Sequence, residues 1–168
     1  EKTHPDLNIA GGINFVGTDT TAWNDGNGHG THVAGTVAAL DNGIGVVGAA
    51  PGARLWAVKV LSDTGSGTLS DVIKGIDWVT ANSNTIDVVN MSLGGGGQDD
   101  GNCGKTNGDS MHYAICNAVA KGVVFVVAAG NSNVDASNTT PAAYDEVITV
   151  SAIADFDGKP GGLGTPTC

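Results

Sequence analysis

Two histidines, His29 and His32, are the first residues in this sequence whose type and spacing suggest chemistry. They lie in the segment 27–39, which reads NGHGTHVAGTVAA. Residues three apart share one face of a helix. We expect a helix to begin near His29, where unpaired backbone N–H groups are exposed and a side chain can project into a cleft. Such a pair is compatible with zinc binding or with two structural histidines. The H-E-x-x-H pattern and an evident third ligand are both missing, which disfavours zinc.

Segments of glycine and small polar residues follow two apolar runs further along the chain. The run 86–93 leads into four consecutive glycines at 94–97, and the run 123–129 leads into Gly130-Asn131. Ligands of α/β sheets bind outside the carboxyl ends of the strands, and glycine lets another backbone approach closely. These segments are therefore predicted to form a substrate-binding edge.

The elements that must position these residues alternate between strand and helix composition. Strands are predicted at 54–61, 86–93, 123–129 and 147–152, and helices are predicted around 69–79 and 111–119. The nearly continuous apolar run 123–129 is typical of a strand that is buried on both faces. This order predicts an α/β fold, in which a mostly parallel sheet carries helices on both faces, and a single domain that spans 1–168. The glycine-rich stretches 94–97 and 158–164 are predicted to be loops.

Composition narrows the class of function. The chain has 168 residues, enough for one domain with a sizeable core, and a formal net charge of −10. That charge opposes binding to nucleic acid and to anionic membrane surfaces, and no apolar run approaches the roughly 18 residues of a membrane span. The low content of charged residues, 14%, favours an exported protein. We expect a secreted monomer, of which this chain is a piece without a signal peptide.

Three cysteines, Cys103, Cys116 and Cys168, make an odd count. A bridge between Cys103 and Cys116 would stabilise the fold by about 3 kcal/mol, because it restricts the unfolded chain. The alternative is two unpaired thiols, with Cys116 buried on a helix. We expect the bridge.

Several motifs together resemble the subtilisin-like serine proteases, or subtilases. They are the histidine segment, Ala50-Pro51, WAVKVL at 56–61, Gly65-Ser66-Gly67, VNMSLGG at 89–95 and VAAGN at 127–131. The combination is highly specific and covers essentially the whole chain in the family's order. The resemblance implies a subtilisin-like fold that is incomplete at both ends, and a serine endopeptidase activity that proceeds through an acyl-enzyme intermediate.

The resemblance also implies roles for individual residues. His29 matches the general base, which takes the serine proton and returns it to the leaving amine, and His32 is then a structural neighbour. Asn131 matches the oxyanion-hole donor. Two segments would pair with an extended peptide, and small residues would line a roomy pocket that favours large apolar or aromatic side chains. The implied substrate-binding residues are Gly65, Ser66, Gly67, Ser92, Leu93, Gly94, Gly95, Ala128, Ala129 and Gly130.

The segment 40–46 resembles the family's calcium loop. Calcium prefers six to eight oxygen ligands, many of them backbone carbonyls, and the glycines at 43 and 45 let the backbone turn its carbonyls inward. The alternative is a glycine-rich turn that ends a helix. The implied ligands are the side chains of Asp6 and Asn42 and the carbonyls of Leu40, Ile44 and Val46.

Two catalytic motifs of the family do not occur in these 168 residues. The stretch 4–7 reads HPDL, but the family's Asp-Ser/Thr-Gly motif that precedes it is missing, and so is Gly-Thr-Ser-Met-Ala. We therefore expect the central piece of a protease catalytic domain, inactive by itself, whose parent acts on peptide or protein substrates. The resemblance places the partner of Cys168 downstream and is compatible with a propeptide. The competing hypotheses are a non-catalytic peptide-binding or scaffold module, and a zinc hydrolase that uses His29 and His32.

Overall fold

The computed structural model describes residues 1–153, so Cys168 and the predicted loop 158–164 lie outside the described residues. Strands and helices alternate along most of this length, as the sequence predicts. In chain order the elements are β1 (Ile9–Asn14), α1 (His29–Ala38), β2 (Leu55–Lys59), α2 (Leu69–Ala81), β3 (Val88–Met91), β4 (Gly95–Gly96), α3 (Ser110–Val119), β5 (Val124–Ala128), a short 3-10 helix (Ala136–Asn138), β6 (Thr139–Thr140) and β7 (Ile148–Val150).

Strand pairing is mostly parallel, which confirms the predicted α/β class. β1 pairs with β2, and β3, β5 and β7 form a parallel sheet in the order β3-β5-β7. β4 and β6 form a short antiparallel pair, which the sequence did not predict. Among the described residues β2 does not pair with β3. The predicted single sheet is therefore seen as separate groups of strands.

Strand β1 is missing from the sequence-based prediction because its sequence, IAGGIN, places Ala-Gly-Gly between its two isoleucines, and Gly and Ala are depleted in strands. The packing explains its two glycines. A Cβ atom at Gly11 would lie 2.6 Å from the ring of Trp56, and one at Gly12 would lie 2.6 Å from the ring of Trp23. The indole rings thus occupy the space of the missing side chains at 11 and 12. Without those side chains the sequence shows no alternation of apolar and polar residues that would indicate a strand.

The core forms where α2 and α3 pack against each other and against β3 and β5. Its members are apolar residues at helical spacing in α2 and α3, together with alternate residues of the strands. Both helices have side-chain caps at their N-termini, from Thr68 for α2 and from Asp109 for α3. The buried members include Val72, Ile76, Val79, Met91, Met111, Ile115, Ala118, Phe125 and Val127.

Strand β5 differs from the prediction that both of its faces are buried. Phe125 and Val127 are buried, but Val124, on the opposite face, is 43% exposed. Val88, which pairs with Val124, and Ile148, which pairs with Val126, are exposed as well. The helices α2 and α3 cover the face that carries Phe125, which leaves the other face of the described sheet open in part.

Candidate active site

His29 is the first residue of α1, and its side chain is exposed. The residue before it, Gly28, has a φ of 96°, a left-handed conformation that favours glycine, and it provides no side-chain cap. The start of α1 therefore carries no bulky or polar side chain at its N-cap, so the surroundings of the imidazole stay open.

Asp25, three residues before the N-cap, accepts hydrogen bonds from backbone N–H groups at the start of α1. Its Oδ1 accepts hydrogen bonds from the backbone N–H groups of Gly28 at 2.8 Å and Asn27 at 2.9 Å. Its Oδ2 accepts from the N–H of Thr31 at 2.9 Å and from the hydroxyl of Thr31 at 2.7 Å. Partial burial by itself would raise the pKa of Asp25, but these hydrogen bonds outweigh it and hold the pKa well below its usual range. Asp25 thus fixes the helix start as an ionised carboxylate.

The segment 62–67 is tied to the same helix start. Asn27 donates from Nδ2 to the backbone carbonyl of Asp63 at 3.1 Å. Within the segment, the N–H and the hydroxyl of Ser62 both donate to the carbonyl of Ser66 at 2.8 Å, which closes a tight turn. A Cβ at Gly67 would lie 2.3 Å from the carbonyl oxygen of Val60. Glycine is therefore required at 67 by packing within the protein.

The segment 92–95 leaves the carboxyl end of β3. Asn90 donates from Nδ2 to the hydroxyl of Ser92 at 3.0 Å. Gly95 pairs with Thr140 in the antiparallel ribbon of β4 and β6. A Cβ at Gly94 would lie 2.9 Å from the carbonyl oxygen of Thr140, so the close approach of these two segments also excludes a larger residue at 94.

One large cavity brings these parts together. It has a volume of about 1830 Å³ and is lined by His29, by residues 65–67 and by residues 92–95. Apolar side chains of β2 and β3, including Val58 and Val89, form a further part of its wall. Pockets for drug-sized ligands have volumes of about 300–1,000 Å³, so this cavity is larger than that range. The structure thus brings the predicted base and both predicted peptide-binding segments to one opening.

Asn131 and residues 128–130 are not among the residues that line this cavity. Asn131 is exposed and lies three residues beyond the end of β5. The parallel register pairs Met91 with Val127, so the chain leaves β3 and β5 at the same edge of the sheet. The structure therefore places Asn131 at the expected edge, and its oxyanion role stays a prediction.

His32 is exposed one turn beyond His29 on α1. The clusters of three or more metal-binding side chains found within residues 1–153 contain neither histidine. The zinc hydrolase hypothesis therefore receives no support from the geometry of this pair.

The predicted calcium loop does bring its two side-chain ligands together. Asp6 is only 4% exposed, and its Oδ1 accepts a hydrogen bond from Nδ2 of Asn42 at 3.0 Å. Oδ1 of Asn42 accepts from the N–H of Ile44 at 3.1 Å. A Cβ at Gly45 would lie 2.5 Å from Oδ2 of Asp6, so only glycine lets the loop backbone close over this carboxylate. A buried carboxylate enclosed by a glycine-rich loop is an oxygen-donor set that fits calcium.

Comparison with known proteins decides the family. The profile of the Subtilase family matches residues 1–160. The chain belongs to the subtilase family. This confirms the resemblance on which the roles of His29 and Asn131 were predicted.

Similar proteins include several named subtilisins of bacilli. The chain is 47% identical to subtilisin E of Bacillus subtilis (strain 168), over 91% of this chain and 38% of the relative. It is 45% identical to subtilisin Savinase of Lederbergia lenta, over 90% of this chain and 51% of the relative. A third relative, the thermostable alkaline protease of Halalkalibacterium halodurans, is 44% identical over 97% of this chain and 41% of its own length. The chain therefore spans about half or less of the length of these relatives.

The fold agrees with a solved structure of the same family. The crystal structure of a cold adapted subtilisin-like serine proteinase matches with a TM-score of 0.74 and 40% identity, over 88% of this chain and 49% of that one. The described residues thus adopt part of a subtilisin-like α/β fold. Within them, no helix combines the length and the apolar character that crossing a membrane requires.

Sequence reasoning missed Asp25 and Asn27, which hold the start of α1 and the segment 62–67 in place. An available signal was the sequence Asp25-Gly26-Asn27-Gly28 directly before the helix. Asp and Asn side chains commonly bond backbone N–H groups two or three residues ahead.

Proposed function

We propose that this chain is part of the catalytic domain of a secreted serine endopeptidase, which cleaves peptide bonds through an acyl-enzyme intermediate. One observation carries the proposal. An exposed histidine at the start of α1 opens onto a cavity that it shares with residues 65–67 and 92–95. Membership of the subtilase family supports the same activity.

In this proposal His29 is the general base. It takes the proton of a serine hydroxyl as the oxygen attacks the substrate carbonyl, and it returns the proton to the leaving amine. Such a transfer requires the hydroxyl within about 3 Å of the imidazole. Asp25 and Gly28 contribute by fixing the helix start and keeping it unhindered, so that the imidazole can reach both the serine and the leaving group.

Asn131 supplies the electrostatic part of the proposed mechanism. Its amide N–H₂ donates to the negatively charged oxygen of the tetrahedral intermediate, which is where charge develops in the transition state. Its exposed position beyond β5, at the edge where β3 also ends, supports this role.

The substrate is proposed to be an extended polypeptide. Residues 65–67 and 92–95 pair with its backbone by strand addition, and their glycines leave room for its side chains. Gly94 and Gly95, on the large cavity, and Ala128, Ala129 and Gly130, at the same edge of the sheet but outside that cavity, are proposed to surround the residue before the cleaved bond. Small pocket residues favour large apolar or aromatic side chains at that position.

Calcium is proposed as a structural ion in the loop 40–46. The side chains of Asp6 and Asn42 and the carbonyls of Leu40, Ile44 and Val46 would hold it, in agreement with the close contact between Asp6 and Asn42. A bound cation would neutralise the buried Asp6 carboxylate and hold the loop after α1 in one conformation. The Asn42 side chain would then turn its oxygen toward the ion.

The decisive experiment measures cleavage of a chromogenic peptide by the complete protein. His29→Ala should lower turnover by about 10⁶-fold, a magnitude known for a member of this family rather than derived from this chain. His32→Ala is the matched control, because it removes a histidine from the same exposed end of α1, and it should keep most of the activity.

Full activity in the His29→Ala protein would overturn the proposal. A complete protein that binds the peptide but does not cleave it would instead support the non-catalytic peptide-binding module. The 168-residue chain alone is proposed to be inactive, because it contains no Gly-Thr-Ser-Met-Ala motif. Cleavage by that chain, abolished by His29→Ala, would contradict this part.

A further inference from the structure

The histidine His112 is enclosed by metal-binding side chains and does not line the cavity that His29 lines. It lies in the first turn of α3 and is fully buried. Its ring stacks on Tyr144, with ring centres 4.0 Å apart and planes 1° from parallel. Tyr144 in turn donates its hydroxyl to Oδ2 of Asp109, the N-cap of α3, at 2.5 Å. The orientation of the imidazole is therefore set by contacts on its face.

One edge of this imidazole faces two sulfurs and a carboxylate. Nε2 of His112 lies 2.8 Å from Oε2 of Glu146, and Oε1 of the same carboxylate lies 3.6 Å from Sγ of Cys103. Cys103 is joined to Cys116 by the disulfide that the sequence predicts. One ligand atom from each of Cys103, His112, Cys116 and Glu146 lies within 4.8 Å of all the others.

The opposite edge of the imidazole faces two more carboxylates. Nδ1 of His112 is buried and makes no hydrogen bond in the described residues, but it lies 3.4 Å from Oδ1 of Asp99 and 3.5 Å from Oδ1 of Asp100. A histidine that ligates metal through one nitrogen commonly turns its other N–H toward a carboxylate. Nδ1 is thus already placed beside the groups that support a ligand at Nε2.

Asp100 is unsuited to be a metal ligand itself, because its carboxylate is already saturated. It accepts hydrogen bonds from the backbone N–H groups of Gly104, Asn102, Thr106 and Asn107. They donate to its two oxygens at 2.7–3.2 Å. Asp100 is therefore fixed beside Nδ1 of His112, and Nε2, on the opposite edge, is left as the ring atom that could bind a metal.

We propose that reduction of the Cys103–Cys116 disulfide converts this cluster into a zinc site. The ligands are Sγ of Cys103, Sγ of Cys116, Nε2 of His112 and the carboxylate of Glu146. Two sulfurs, one imidazole and one carboxylate are a ligand set that selects zinc over calcium or magnesium. In the oxidised protein both sulfurs are engaged in the disulfide, so zinc and the disulfide exclude each other.

The chemistry of the exchange balances with a dithiol as reductant. The dithiol gives two electrons and two protons to the disulfide, becomes a disulfide itself, and leaves two thiols on Cys103 and Cys116. Zinc binding then releases both thiol protons, because thiolates are the ligands. His112 binds as the neutral imidazole with its proton on Nδ1, toward Asp99 and Asp100.

The geometry requires only small movements. With zinc–ligand bonds of about 2.0–2.3 Å, the ligand atoms of a tetrahedral site are about 3.3–3.8 Å apart, compared with separations of up to 4.8 Å here. His112 and Cys116 are four residues apart on α3 and so share one helix face. The sulfurs must move apart, while Glu146 shifts from His112 toward the metal.

The experiment uses the complete protein, and a Cys103→Ser/Cys116→Ser variant, which keeps Cys168 and every other cysteine, is titrated in parallel and should show no thiolate-to-cobalt band from this site. The protein is reduced with dithiothreitol, freed of reductant under nitrogen and titrated with Co²⁺ alone. We expect one Co²⁺ per chain, with the visible bands of a tetrahedral site and a thiolate-to-cobalt band in the near ultraviolet. Zn²⁺ should then displace the cobalt. The oxidised protein, titrated in parallel, should show neither band.

Variants of His112 and Glu146 test whether the metal is held by all four proposed ligands or by the two cysteines alone. Glu146→Gln and His112→Gln should each weaken Co²⁺ binding at least 10-fold and alter the visible bands. Asp145→Asn is the matched control for Glu146→Gln, because it removes an adjacent carboxylate outside the proposed ligand set, and it should bind as the parent does. Near-ultraviolet circular dichroism of the oxidised proteins checks that each variant folds.

Three results would overturn the proposal. The first is equal binding to the oxidised protein, which would place the metal on the carboxylates. The second is binding to the reduced protein without a thiolate band. The third is parent-like binding by folded Glu146→Gln and His112→Gln proteins, which would mean that only the thiols hold the metal.

Discussion

The two helix starts that carry His29 and His112 place the same side chain in opposite surroundings. His29 is exposed on a large cavity, whereas His112 is fully buried, stacked on Tyr144 and flanked by carboxylates on both edges. A histidine that exchanges protons with a substrate must be reachable and free to make new hydrogen bonds. A histidine that is buried and held by stacking is not reachable for a substrate. Surroundings, rather than residue type, therefore separate the proposed base, His29, from the proposed metal ligand, His112.

The N-terminal caps of α1 and α3 also differ. Asp109 caps α3 directly, with its Oδ1 accepting from the N–H groups of Met111 and His112. Asp25 caps α1 from a preceding turn, and Gly28 occupies the N-cap without a side chain. Both helices thus have a carboxylate at their positive end, where the helix dipole favours it. Only α1 keeps its first turn unobstructed.

Removing the cross-link next to His112 should produce the largest change in stability. The double variant Cys103→Ser/Cys116→Ser should lower the free energy of unfolding by about 3 kcal/mol, because the unfolded chain regains the freedom that the disulfide restricts. Urea denaturation measures this change. Peptide cleavage per folded molecule should stay near the parent value, and a large loss of cleavage would show that the two helix starts are coupled.

Neutralising Asp25 at the start of α1 should lower the free energy of unfolding by a smaller amount. Asp25→Asn should cost about 2 kcal/mol, because the amide replaces an ionised acceptor of four hydrogen bonds. Urea denaturation at pH 7 checks the value. Asp77→Asn, an exposed aspartate in α2, is the control and should be nearly neutral.

The same carboxylate predicts a pH dependence. The pKa of Asp25 is lowered in the folded state, so its contribution is complete above the unfolded pKa of about 3.9 and is lost as the pH falls below that value. The stability difference between the parent and Asp25→Asn should therefore shrink below about pH 4. A difference that is constant from pH 7 to pH 3 would contradict the assignment.

The smallest of these effects concerns the calcium loop that follows α1. Calcium should raise the melting temperature of the protein, because an ion that binds only the folded state stabilises it by mass action. Asn42→Ala should weaken calcium binding about tenfold, which is about 1.4 kcal/mol, or a few degrees at this chain length. Scanning calorimetry with calcium and with chelator measures both melting temperatures, and equal values in the parent would refute the site.

Sequence patterns predicted the elements with strong periodicity or composition, and they failed where the signal was local or absent. The predicted helix around 69–79 is α2, and the predicted strand 123–129 contains β5. The pair β4 and β6 was not predicted, because two residues in each strand carry no detectable alternation. Their pairing depends on the tertiary fold, which brings Gly95 beside Thr140 although the two residues are far apart in the sequence.

The family, the α/β class, the disulfide and the candidate base follow from the sequence alone, because each depends on residue identities at short spacing. The environment of each histidine was decided only by the tertiary structure. Burial, ring stacking on Tyr144 and the approach of Glu146 to His112 arise from contacts between residues more than 30 positions apart. A one-dimensional pattern does not contain such contacts, so it could mark His29 through its motif but could not identify His112 as the centre of a charged, cross-linked cluster.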